Sequence, residues 1–146
     1  HGHTYQGHAT ACAAALATQR TIRERDLLAN VVRQGELLAD GLRERFGQHP
    51  FVGDIRGRGL FRGLELVADR ETKDPFDPAR KINAKIKKAA FARGLMAYPM
   101  GGTIDGVRGD HVLFAPPFIV TGDDVARIVD LFELAMNDVF TAEGLL

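Results

Sequence analysis

The chain opens His1-Gly2-His3-Thr4-Tyr5-Gln6-Gly7-His8, so a hydroxyl, a phenol and three imidazoles crowd into eight residues with two glycines among them. A helix-forming, alanine-rich run follows at once from Ala9. Natural N-termini are usually polar and loose; this one reads as a site loop cut out of a longer protein. His1, His3 and His8 carry metal-ligating nitrogens, but their spacing matches no closed zinc site and no cysteine joins them. No metal is expected. The glycines from Gly57 to Gly63 lack the preceding strand and following helix of a dinucleotide fingerprint, and Gly101-Gly102-Thr103 has no phosphate-loop lysine. Asp54, Glu65 and Asp110 read as scattered surface acids. Cys12 lies in an apolar helical stretch and reads as a small buried hydrophobe.

These residues need a scaffold, and the pattern supplies one. Ala9 to about Glu24 predicts a helix. Asp26 is placed as N-cap of a second, with Leu27, Leu28, Val31, Val32, Leu37, Leu38, Leu42 and Phe46 on one face; Gly47 closes it and Pro50 forbids its continuation. Phe51 to Gly59 reads as an extended approach and Leu60 to Val67 as a strand whose alternation Gly63 breaks. A polar loop, Asp69 to Asp77, leads to a basic amphipathic helix over about Ala79 to Arg93. In that helix Ile82, Ile86, Ala89, Ala90 and Phe91 face the core. Leu95 to Pro99 is a short strand, Met100 to Asp110 a glycine-rich loop, and His111 to Ala115 another strand. Thr121 caps the last helix with Asp124 at N3. That helix carries Val125, Ile128, Val129, Phe132, Ala135, Met136, Val139 and Phe140 as its core stripe. The order predicts an α+β fold: a small, largely antiparallel sheet packed with helices and preceded by a long connecting helix.

Composition narrows the function. Nineteen basic residues balance nineteen acidic ones among 146, and no basic cluster draws the chain to nucleic acid or an anionic membrane. No apolar run approaches the ~18 residues of a membrane span. One cysteine excludes a disulfide framework within the chain and suits the cytoplasm.

Three segments resemble the class III aminotransferases, pyridoxal-phosphate enzymes of the aspartate-aminotransferase fold type. Gly2-His3-Thr4-Tyr5-Gln6-Gly7-His8 with Ala11-Cys12-Ala13-Ala14-Ala15-Leu16-Ala17 is similar to the loop and helix that follow that family's cofactor lysine. Ile55-Arg56-Gly57-Arg58-Gly59-Leu60-Phe61-Arg62-Gly63-Leu64-Glu65-Leu66-Val67 is similar to the approach to its small-domain strand, and Gly109-Asp110-His111 through Thr121 to its closing strand and final helix cap. Ala9 stands where the family's Gly-His-Pro has proline.

The resemblance implies an active-site loop and connecting helix over 1–25 and the C-terminal small domain of an aminotransferase over 26–146. It implies that Thr4 binds the cofactor phosphate of the second subunit of a homodimer, that His3 and Tyr5 line the pocket, and that Arg108 grips a substrate carboxylate. The other reading of Thr4 is a turn cap beside solvated histidines; that of Arg108 is a loop arginine paired with Asp105 or Asp110. The family spaces its arginine a few residues further from the Gly-Asp-His triplet. The cofactor lysine is expected outside this chain, since Lys73 falls in a loop and lysines 81, 85, 87 and 88 on the face of a helix. The expected activity of the parent is amino transfer between an amino donor and a 2-oxo acid, with no catalytic residue in this segment, which alone should be inactive. A pyridoxal-phosphate decarboxylase, aminomutase or racemase of the same fold, or a non-catalytic oligomerisation or ligand-binding domain, are the alternatives.

Overall fold

Arg62, Leu64 and Leu66 alternate with Phe61, Gly63 and Glu65, which buries one face of their segment and leaves the other open. That alternation is the centre of the molecule. The computed structural model describes residues His1–Leu146. In chain order the elements are α1 (Ala9–Glu24), α2 (Leu27–Phe46), β1 (Val52–Arg58), β2 (Phe61–Leu66), α3 (Ile82–Ala92), β3 (Tyr98–Gly101), β4 (Asp110–Phe114) and α4 (Gly122–Ala142). A short 3₁₀ turn, Pro78–Arg80, precedes α3. The sheet runs β1-β2-β4-β3, and each neighbouring pair is antiparallel. The expected α+β fold with a small antiparallel sheet is what the chain adopts. No helix is long and apolar enough to cross a membrane.

Leu64 pairs with Val112 and Val112 with Pro99, so the inward residues of three strands stack into one layer. Against that layer pack α2 through Leu38, Leu42 and Phe46 and α3 through Ile82, Ile86 and Ala90. The last helix lies along both and reaches the sheet where Phe132 meets Phe114 edge-on, ring centroids 5.0 Å apart. Each of the leucines, isoleucines and phenylalanines among them contributes about 1.5–3 kcal/mol by leaving water. The capping box at Thr121 forms in full: the Thr121 hydroxyl accepts from the Asp124 N–H, and the Asp124 carboxylate accepts from the Thr121 N–H.

The tip of the β1–β2 hairpin is held by a buried cation. Gly59 has φ +55° at the first position of a two-residue turn, a conformation that favours glycine. Arg62, only 5% exposed, donates from Nε to the Gly59 carbonyl (2.9 Å) and from Nη1 to that of Gly57 (2.8 Å). Its Nη2 reaches across to α2, to the Gly35 carbonyl (3.0 Å) and Glu36 (3.1 Å). Helix and hairpin touch backbone to backbone there, because a Cβ on Gly35 would lie 2.5 Å from the Gly59 carbonyl. The break in the strand pattern comes from Arg62 standing inward; Gly63 keeps its outward place.

Several sequence expectations change. Asp26 precedes α2 but its side chain caps nothing: at the bend from α1 it adopts the left-handed conformation (φ 47°) rather than the extended backbone of a capping residue. Leu28, Val32 and Leu37 are exposed, since the buried stripe of α2 runs Leu27, Gly35, Leu38, Leu42, Phe46 and those three lie to its side. Cys12 is exposed because α1 buries none of its residues. The basic helix starts only at Ile82, after Lys81 takes a left-handed φ of 52°, and Phe91 points to solvent. The strand expected over Leu95 to Pro99 shifts to Tyr98–Gly101, as the turn ending α3 takes up Gly94 and Leu95: Leu95 N–H donates to the Ala90 carbonyl (2.9 Å). Phe51 to Gly59 is a true strand over most of its length.

Candidate functional site

The opening loop is a pair of turns. Gln6 N–H donates to the His3 carbonyl (3.0 Å) and His8 N–H to that of Tyr5 (3.1 Å), while Gly7 takes φ +76°. Its exit is the α1 N-terminus, where His8 Nδ1 accepts from the Ala11 N–H (3.3 Å). Tyr5 and His8 meet edge-on, ring centroids 5.4 Å apart. Every side chain from His1 to His8 is exposed, and the Thr4 hydroxyl bonds to nothing within the chain. Thr4 therefore offers a free donor in a loop that carries three histidines and no carboxylate to repel an anion. That donor set fits an oxyanion such as a phosphate. The three histidines do not converge on a metal geometry.

The second segment lies between β3 and β4. Its two sides are laced by Thr103 N–H to the Gly109 carbonyl (3.3 Å), Ile104 N–H to that of Arg108 (3.0 Å) and Gly106 N–H to that of Gly102 (3.0 Å). At its tip Asp105 Oδ1 accepts from the Val107 (3.0 Å) and Arg108 (2.7 Å) N–H groups, and Oδ2 from Arg108 Nε (2.8 Å). The Arg108 N–H and guanidinium bonds, with that of Val107, hold the Asp105 carboxyl down at about 2. Arg108 is more than half exposed. Of the two partners the sequence offers it, the structure takes Asp105.

Asp110 is turned the other way. It is 6% exposed and accepts from Asn83 Nδ2 on α3, which locks the loop base to the helix. The expectation of a surface acid fails there because Asp110 occupies an inward position of β4, opposite Leu66. Glu65 and Asp54 stay on the open side, where both bind Arg56 (2.8 and 2.5 Å). His111 Nδ1 and the Thr103 hydroxyl approach to 2.6 Å on the outer face of the sheet. Sequence reasoning misses Asn83 and Arg62; the signal available for each was a polar residue at a position the periodicity assigns to the interior.

Thr4, His3 and Tyr5 form one group and Arg108 another, and no hydrogen bond, ion pair or aromatic contact joins them. The opening loop stands at the far end of α1, whose 16 residues span about 24 Å from the bend into α2. Arg108 sits in the β3–β4 loop, two residues before β4 begins at Asp110. The lysines lie apart from both: Lys73 Nζ donates to the Gly53 carbonyl (2.8 Å), Lys85 pairs with Glu143, and Lys87 stands over the Tyr98 ring (5.8 Å).

The sequence model of the family described as Aminotransferase class-III matches residues 1–136. An uncharacterised aminotransferase of Schizosaccharomyces pombe is 44% identical over 95% of this chain and 30% of its own length. A diaminobutyrate–2-oxoglutarate transaminase of Halomonas elongata is 37% identical over 99% of this chain and 30% of its own. The crystal structure of a transaminase from the marine bacterium Virgibacillus superposes with a TM-score of 0.89 at 31% identity, over 99% of this chain and 32% of that one. The chain thus spans about three tenths of the length of these relatives. With one family model running from the opening loop to the last helix, and a transaminase structure sharing the fold, the chain belongs to the class III aminotransferases.

Proposed function

We propose that this chain is the active-site loop and C-terminal small domain of a pyridoxal-phosphate-dependent aminotransferase that works as a cytoplasmic homodimer. In this reading residues 1–25 are the loop and connecting helix and 26–146 the small domain. The division is supported by α1, which contributes no buried residue to a core built from α2 onward. The observation that carries the reading is the match to class III aminotransferases that begins at the opening loop itself.

Thr4 holds the cofactor phosphate with its free hydroxyl, and His3 and Tyr5 line the neighbouring wall. Arg108 binds the carboxylate of the amino acid or 2-oxo acid, for which a guanidinium offers a planar two-point grip. Pyridoxal phosphate, held there by Thr4, would supply an electron sink and a carrier for the amino group. The residues of this chain bind and orient; the lysine that anchors the cofactor and moves the proton comes from another part of the enzyme. The Thr4 loop and Arg108 make no contact within this chain, and in this reading Thr4 serves the cofactor held by the second subunit of the homodimer. The relative that acts on 2-oxoglutarate supports a 2-oxo acid as acceptor.

The test is an immunoblot of the source cells with antibody to this chain, followed by assay of the captured polypeptide. A band about three times 16.0 kDa, whose pyridoxal phosphate supports amino transfer dependent on a 2-oxo acid, is expected. A band at 16.0 kDa would leave a binding module. Carbon dioxide release, racemisation or amino migration without an acceptor would replace transfer with another reaction. The isolated 146 residues should show no turnover, and any turnover would refute the assignment of roles.

A further inference from the structure

Asp105 fixes residue 108 at both ends. One carboxylate oxygen accepts from the Arg108 backbone N–H at 2.7 Å and from Val107 at 3.0 Å, and the other accepts from the Arg108 side chain at 2.8 Å. Only Nε is engaged. Nη1 and Nη2 make no hydrogen bond within the chain, so their four N–H donors are free, two of them along the end-on edge of the guanidinium. An isolated exposed arginine samples many rotamers, and freezing it on binding costs entropy. Here that cost is met in advance by a neighbouring acid, and the loop is anchored. Asn83 clasps Asp110 at its base, and a Cβ on Gly101 would lie 2.5 Å from Asn83 Nδ2 and push that amide aside.

We propose that Asp105 is a positioning residue that holds Arg108 by Nε so that its Nη1/Nη2 edge meets an incoming carboxylate, and thereby sets the preference for carboxylate-bearing over neutral substrates. The proposal rests on the reading of Arg108 as the carboxylate clamp. Its chemistry differs from that of a competing acid: an Asp105 that covered the Nη edge would have to be displaced by substrate, whereas an acid on Nε leaves the edge open. The low-lying carboxyl, held near 2, keeps Asp105 charged throughout the working range of an enzyme.

Asp105→Asn isolates the effect. The amide keeps an oxygen for the two backbone N–H groups and loses the charge that holds Nε. In the full-length holoenzyme, KM for a 2-oxo acid is expected to rise about two- to fivefold, the range for an exposed pair. The kcat should be nearly unchanged, and kinetics with an aldehyde acceptor that lacks a carboxylate should not move. Asp105→Glu should restore part of the loss. Arg108→Gln is the control for the underlying reading: an unchanged 2-oxo acid KM would remove the clamp itself. If Arg108→Gln raises that KM while Asp105→Asn leaves it or lowers it, the clamp stands and the positioning role falls. A second readout uses ¹⁵N spectra of the full-length holoenzyme, in which Asp105→Asn should move the Arg108 Nε–H signal while the Val107 and Arg108 amides stay dispersed and protected from exchange. Collapse of those amides would make Asp105 a residue of loop structure only and overturn the proposal.

Discussion

Replacing Arg62 with methionine removes four donated hydrogen bonds while keeping an unbranched side chain of similar reach. The four are unequal. The Gly57 carbonyl belongs to an exposed residue and recovers water, and Glu36 is 64% exposed, which limits that pair to under about 1 kcal/mol. The bonds to Gly59 and to the buried Gly35 come from a charged donor in a shielded place, at about 1.5–3 kcal/mol each. Methionine regains some of this by packing, so the net loss is roughly 3–5 kcal/mol, against a total stability on the order of 5–15 kcal/mol. With a urea slope of about 1–3 kcal/mol per molar, the midpoint should fall by roughly 2 M. Urea unfolding of the chain followed by far-UV circular dichroism measures it. Arg62→Lys, a single point donor in place of a three-sided fork, should recover less than half. A midpoint shift under about 0.5 M, or a lysine variant equal to wild type, would refute the claim that this arginine ties the hairpin to α2.

Gly35→Ala should destabilise the chain by about 1–3 kcal/mol in the same assay, although alanine is the better helix former, because its Cβ would meet the Gly59 backbone at 2.5 Å; a raised midpoint would contradict that contact. Thr4→Ala should leave the unfolding midpoint of the chain unchanged, since the hydroxyl has no partner within it, yet raise the dissociation constant of pyridoxal phosphate from the holoenzyme about 10–100-fold; equal cofactor retention would refute the phosphate role. His49 sits half-buried among Phe46, Phe51 and Phe140, and burial pushes its pKa below the ordinary value. A histidine kept neutral by the fold contributes stability that is whole above the unfolded pKa of about 6.5 and is lost as pH falls from there through the folded value. Urea midpoints should therefore drop as pH falls from about 6.5, and His49→Gln should flatten that slope; an unchanged slope would point to other groups.

The helices were legible where side chains repeat with one period over many residues. The stripe from Val125 to Phe140, the Thr121–Asp124 cap and the bounds of α1 all follow from local chemistry, so the chain needs no tertiary partner to announce them. The family resemblance was legible too, because short motifs such as the opening loop and the Gly-Asp-His triplet keep their order along the chain. What sequence alone could not rank was competition between partners far apart in it. Leu28 and Val32 are as apolar as Leu27 and Val31, and the packing of α4, α1 and the hairpin tip beside Gly35 decides which side of α2 is covered. Arg62 and Asp110 look like surface charges until the sheet register turns both inward, and Asn83 and Gly35 are identified as their partners only when α3 and α2 pack down. Local propensity fixed the elements and their order. Burial of charge, and the partners that make it tolerable, were decided by contacts 27 residues apart along the chain, where the cost of an unpaired buried ion selects one arrangement.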